Sequence, residues 1–164
     1  MRIHLLFIAA VIAAALAAVP AGAFEAKTLE VTVGPSGAAD VVMTYDLNPI
    51  ERFGVYVAIA APGRALETAL GALAGREVRV SEAGPDGAAF VVPKFATVTH
   101  GKDGTVYATP AVDFTAFGRA LDRYWFAPFV SPDFSPDSIT LTFPDGYRER
   151  FDGRTGLPAV THRA

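Results

Sequence analysis

Apolar and polar residues alternate along residues 27–33 (KTLEVTV), placing Leu29, Val31 and Val33 on one side of an extended chain and Glu30 and Thr32 on the other. Gly34-Pro35-Ser36-Gly37 breaks the run, and residues 40–47 (DVVMTYDL) resume it. Two such runs around a Gly/Pro loop predict an antiparallel hairpin, with Leu29, Val31 and Val33 facing inward against Val41, Met43 and Tyr45. Asn48 at a cap position, Pro49 after it and Glu51 three residues on predict a short helical turn, stopped by Gly54. Residues 55–60 (VYVAIA) then read as a buried strand. A continuous helix over 49–60 is the competing reading, because a short apolar run has no diagnostic period.

A clearer helical period follows at 62–74, where Leu66, Leu70 and Leu73, with Ala65 and Ala69, form one stripe before Gly75. In 76–81 (REVRVS), Val78 and Val80 point one way and Glu77, Arg79 and Ser81 the other. Gly84-Pro85-Asp86-Gly87 turns the chain, residues 88–92 return it, and Pro93 ends the strand because it lacks a ladder donor. Residues 95–99 and 105–109 flank His100-Gly101-Lys102-Asp103-Gly104 as a second hairpin. Asp113 stands as the cap of a second helix, 114–126, whose Phe114, Phe117, Leu121, Tyr124 and Trp125 share one broad face before Pro128.

The clearest hairpin is the last. Ile139, Leu141 and Phe143 alternate with Thr140 and Thr142; Pro144-Asp145-Gly146 turns the chain; Tyr147, Glu149 and Phe151 share the returning inward face. The tail, 152–164, is expected to end in a short edge strand around 159–161. Together these elements predict an α+β fold: an antiparallel or mixed sheet with two amphipathic helices packed on one face.

The N-terminus changes the picture of where that fold resides. Arg2 and His4 flank the start of an apolar run, Leu5 to Val19, and Pro20-Ala21-Gly22-Ala23 follows with small residues at the positions a signal peptidase reads. The run is short for a bilayer crossing and has no polar face to turn toward water. Residues 1–23 are therefore expected to be a cleaved signal peptide and 24–164 one exported domain, secreted or extracytoplasmic. Retention as an uncleaved anchor is the alternative, and membrane contact is expected only in that case.

The chain has no cysteine, so an exported domain must hold together by packing, and thiol catalysis and thiolate metal sites are excluded. Its formal net charge of −3, one unit more negative once Arg2 leaves with the signal, argues against nucleic acid as a partner.

Candidate chemistry is sparse. In residues 131–138 (SPDFSPDS), Asp133 and Asp137 stand at helical spacing, but Pro136 would sit inside any such helix at a cost of roughly 3 kcal/mol. Two consecutive turns, each with a serine side chain accepting a backbone amide, are the structural reading. The functional one, a cation or polar site, needs about six to eight oxygen ligands for calcium and so requires Asp113, Asp145 or Asp152 to converge on the pair. His100 and His162 lie outside any HExxH spacing; a predicted turn and a chain end account for them. No GxSxG elbow and no phosphate-binding glycine loop is present.

The aromatic block YWFAPF is the strongest surface candidate, because Tyr124, Trp125 and Phe126 point in successive directions and one helix face cannot bury all three. With Phe129 they form the expected contact set. The expectation is a non-catalytic exported domain acting by contact with another protein or with itself, in the cell envelope or a surface assembly. No cofactor, metal or catalytic residue is assigned. The alternative is a small-ligand module, for carbohydrate or calcium, or a small hydrolase, built around Tyr124, Trp125, Asp133 and Asp137.

Overall fold

A computed structural model describes residues 25–46, 77–84, 86–116 and 133–164. Their strands are β1 (Glu25–Val33), β2 (Ala39–Asp46), β3 (Arg79–Ala83), β4 (Gly87–Val92), β5 (Thr97–Gly101), β6 (Gly104–Ala108), β7 (Val112–Asp113), β8 (Ser138–Thr142), β9 (Arg148–Asp152), β10 (Gly156–Leu157) and β11 (Thr161–Arg163). A six-stranded sheet has the order β3-β4-β2-β1-β8-β9, a three-stranded sheet β11-β6-β5, and β10 pairs with β7. Within the large sheet β1 and β8 run parallel and every other pair is antiparallel.

The first hairpin follows from its alternation. Leu29 pairs with Met43, Val31 with Val41 and Val33 with Ala39, and Tyr45 is buried on the same face. Gly37 closes the turn at φ 81°, a left-handed conformation that glycine adopts without a Cβ penalty, and its N–H donates to the Gly34 carbonyl at 2.9 Å. The last hairpin takes the predicted form except at Tyr147, which was expected on the inward face but precedes β9 and is exposed. Ile139 pairs with Phe151 and Leu141 with Glu149, and Gly146 N–H donates to the Phe143 carbonyl across Pro144-Asp145-Gly146. Glu149 thus shares the inward face but sits half-buried on the edge strand, where water reaches it.

Paired residues put their side chains on one face, so the register draws the core directly. One row runs Phe90, Val41, Val31, Leu141 across four strands; the next runs Met43, Leu29, Ile139, Phe151. Ile139 and Leu141 on β8, and Phe143 just after it, are essentially sealed from solvent within the core cluster on this face. Each such side chain contributes about 1.5–3 kcal/mol of burial. The opposite face carries Glu30, Thr32, Asp40 and Thr44, all exposed.

The α+β expectation is corrected here. The described residues form a mostly β fold of mixed and antiparallel sheets with no helix, and what covers the apolar sheet face among them is extended chain and loop: Phe95, Tyr107, Val112, Phe114 and Leu157 join the same core cluster. The physical reason is that short β segments with inward aromatics can seal a sheet face as helix stripes do, and the stripe pattern alone does not say which layer will arrive. The predicted helix over 62–74 and the predicted elements over 49–60 lie outside the described residues. So does the second predicted helix beyond Ala116. Asp113, its predicted cap, closes a local turn: Asp113 Oδ1 accepts Thr115 N–H at 2.9 Å and Thr115 Oγ1–H at 2.6 Å.

Two smaller shifts have local causes. The second hairpin turns on only Lys102 and Asp103, so His100 and Gly101 belong to strand β5 rather than to the turn. The tight turn is available because Gly104 adopts φ 121°, where a side chain would also meet the Ala164 carbonyl oxygen. The terminal strand is Thr161–Arg163, two residues beyond its predicted start, and it pairs with β6.

Candidate functional site

The expected site residues fall into two groups. Tyr124, Trp125, Phe126 and Phe129 lie outside the described residues, as does the segment 1–23. Asp133 and Asp137 are described, and they face different partners. Asp133 Oδ1 accepts Ser135 N–H at 2.8 Å, while its backbone carbonyl accepts Ala26 N–H at 3.0 Å. The amide acceptor at this turn is thus the aspartate, whereas a serine was expected. Asp137 stands 3.9 Å from the Lys27 ammonium.

Lys27 is the center of the only concentration of acid around that octet among the described residues. The β1–β2 register shifts between Ala26 and Thr28, which makes Lys27 an unpaired bulge residue. Its Nζ lies 2.8 Å from Glu25 and 3.9 Å from both Asp46 and Asp137. The Glu25 contact above all raises the lysine pKa above its ordinary value, with Asp137 and Asp46 adding to it. Lys27 already supplies the positive charge these carboxylates face, so the arrangement is a solvated ion-pair network.

The other acids are engaged separately. Asp113 binds Thr115, Asp152 binds Arg150 Nε at 2.8 Å, and Asp145 binds His162. No group of three or more His, Cys, Asp or Glu side chains gathers in metal-binding geometry among the described residues.

His162 is the polar residue whose role the sequence concealed. Its Nε2–H donates to Asp145 Oδ2 at 2.7 Å, and its ring stacks on Tyr147 with centroids 4.4 Å apart and planes 6° from parallel. Phe143 closes the other contact at 4.7 Å. The hydrogen bond from His162, then that from Tyr147 N–H, holds the Asp145 carboxyl below its ordinary pKa. Nothing in the spacing of a turn aspartate and a tail histidine, 17 positions apart, announces this pair. It latches β11 to the β8–β9 turn and joins the small sheet to the large one.

Tyr45 plays a similar fastening role. Its hydroxyl donates to the Gly84 carbonyl at 2.7 Å and reaches that of Gly87 at 3.2 Å, tying β2 to the β3–β4 turn. Burial, and secondarily the negative charge of Asp86, raises its pKa.

Two features remain open. The first is a cavity of about 460 Å³ under the apolar sheet face, bordered by Leu29, Val41, Phe90, Phe95, Phe114 and Phe134; Asp113 is the single charged residue among its described lining.

The second is the outer edge of β5, which pairs with no further strand among the described residues. Gly101 pairs with Gly104, Thr99 with Val106 and Thr97 with Ala108, while Thr105 exchanges backbone hydrogen bonds with Ala164 on the β11 side. Alternation along an antiparallel ladder therefore turns the backbone groups of Thr97, Thr99 and Gly101 toward β6 and those of Val98 and His100 outward. The rung before them confirms the phase, since Ala96 N–H also points outward and is taken by the Gly37 carbonyl at 2.8 Å.

Among the described residues the other edges of the two larger sheets are guarded. β9 carries Arg148, Glu149, Arg150 and Asp152; β3 carries Arg79 and Glu82 and a register shift between Val80 and Glu82; β11 is three residues long and contains Arg163. Charges, bulges and brevity are the devices that keep sheet edges from recruiting other strands. β5, TVTHG, has no Lys, Arg, Asp or Glu and no bulge, and Thr97, Thr99, His100 and Gly101 are exposed.

Comparison of the chain with protein-family models, with curated proteins and with solved structures returned no match.

Proposed function

We propose that the chain is an exported, non-catalytic domain that acts by protein contact in the cell envelope or a surface assembly. The observation that carries this reading is the exposed, uncharged edge of β5. An open strand of Thr and Val with unpaired backbone groups is a template for another strand, and main-chain hydrogen bonds supply affinity without a pocket. Export rests on the apolar run from Leu5 to Val19 and the small residues at Ala21 and Ala23. The local engagement of Asp113, Asp133, Asp145 and Asp152 supports a contact role, because each spends its carboxylate on holding the chain path.

The test is a full-length chain carrying a photo-crosslinking residue at position 99, expressed in its native host. The expected result is a protein released from the cytoplasm with Phe24 as its first residue, or retained on the membrane if uncleaved, and a covalent adduct that depends on position 99. A cytoplasmic chain with an intact N-terminus and no adduct would overturn the proposal.

A second reading, a small-ligand module, is favored by the cavity of about 460 Å³. That volume falls within the usual range of ligand pockets, and its apolar border suits a hydrophobic molecule better than a sugar or a calcium ion. Native mass spectrometry of the purified chain reads this directly, as a copurifying apolar species that Leu29→Trp displaces.

A further inference from the structure

The contact reading leaves the partner of β5 undefined, and the geometry of that edge narrows it. The free rungs are bounded at both ends. On one side Gly37 of the β1–β2 turn already occupies the Ala96 rung; on the other the chain turns away at Lys102 and Asp103. A long incoming strand would run into the Gly37 turn, so the edge fits a strand that itself turns away after Gly101. β5 is such a strand.

We propose, resting on the contact reading above, that β5 pairs antiparallel with β5 of a second copy of this chain, about a two-fold axis through Thr99. In that register Val98 faces His100 of the other copy, and Thr97 faces Gly101. The outward Val98 N–H meets the His100 carbonyl, the His100 N–H meets the Val98 carbonyl, and the two-fold axis repeats both bonds, so every outward group of the edge is satisfied. Thr99 faces Thr99 in a non-hydrogen-bonded pair, where hydroxyl side chains on facing strands interact favorably. No like charges oppose each other, since TVTHG carries none among Lys, Arg, Asp and Glu. The pairing joins the two small sheets into one continuous sheet, β11-β6-β5-β5-β6-β11. An edge this short buries less than a stable dimer interface requires, so association is weak and favored by crowding of exported copies at a surface.

The absence of cysteine from the chain makes the test direct. Facing residues of a non-hydrogen-bonded pair have Cα atoms about 4.5 Å apart, within disulfide range. Under mild oxidation the full chain with Thr99→Cys is expected to form about tenfold more disulfide-linked dimer than Arg150→Cys on the guarded β9 edge, because prior pairing raises the local thiol concentration. Equal yields from the two variants would overturn the proposal. Independently, sedimentation velocity of the unaltered chain is expected to show a mass that rises with concentration and a Thr99→Lys chain that stays monomeric; identical behavior of the two would also overturn it. A position-99 adduct to a different protein, with no Thr99→Cys dimer, would sink self-pairing while leaving the contact reading in place.

Discussion

The two larger sheets of this protein solve opposite problems. In the six-stranded sheet the center is sealed, with Ile139, Leu141 and Phe143 almost wholly buried, and both edges are defended by charge or irregularity. The three-stranded sheet buries Tyr107 and half-buries Val98 and His162, and one of its edges carries no defense. Cohesion and availability are therefore separated in space. The large sheet supplies the stability that a chain without disulfides must draw from packing, and this lets the small sheet leave β5 unguarded.

That division is broken most severely from the large sheet. Leu141→Ala removes a side chain packed between Val31 and Glu149 in the pairing register and leaves a void that a β-sheet center cannot close. The expected loss is about 3 kcal/mol of unfolding free energy, read by urea denaturation. If the small sheet were an independent folding unit, the transition would split in two; a single shifted transition is expected.

The junction between the sheets is the next target. Gly37 accepts the Ala96 amide, and its φ of 81° with the Ala96 carbonyl directly over its Cα leaves no place for a methyl group. Gly37→Ala is expected to cost about 2 kcal/mol through backbone strain and a displaced turn. Its signature is selective: amide exchange in β5 and β6 accelerates more than in β1 and β8. Uniform acceleration would mean that the sheets do not divide labor as described.

How much of this was legible in the chain depends on the range of the interaction. The hairpins 25–46 and 138–152 were readable because alternation and a glycine-bearing turn lie side by side in the sequence, and so was the placement of Glu149 on the face of Phe151, whereas Tyr147, expected on that inward face, is exposed. The parallel pairing of Leu29 with Ile139 and Val31 with Leu141 was not, since two strands with equally apolar faces carry no label naming their neighbor. The hydrogen bond of Asp113 was legible because its partner is two residues away; Asp145 and His162 meet only once β11 has paired with β6. The fold class was misread because periodicity reports that a face is apolar and is silent about what packs against it: among the described residues the sheet face is covered by extended chain and loop, while the residues that carry the helical stripes lie outside them. The β5 edge was half legible. Residues 97–99 read as the end of a strand, with His100 assigned to the turn, but that the strand would lie at a rim, with its neighbors' rims charged, is a property of strand order.

The finest test of the division concerns the latch. The His162 hydrogen bond holds the Asp145 carboxyl below its ordinary pKa of 3.8, which means the folded state binds that proton less readily than the unfolded chain does. The latch contribution is therefore complete above the ordinary carboxylate value and is lost as pH falls through the lowered folded value. Its readout is local. Thr105 and Thr109 donate their amides to Ala164 and Val160, so they report directly on β11. Acidification from about pH 5 to below about pH 3 is expected to speed exchange at these two amides, relative to those of β1 and β8, once the intrinsic pH dependence of exchange is removed. In Asp145→Asn the same amides should be less protected at neutral pH and show no further loss across that window, because an amide side chain has no proton to gain. The change is the smallest of the series, as Asp145 is partly solvated and its contact weakens with salt. A variant that kept the full acid response would place the titrating group elsewhere and leave His162 as a packing residue alone.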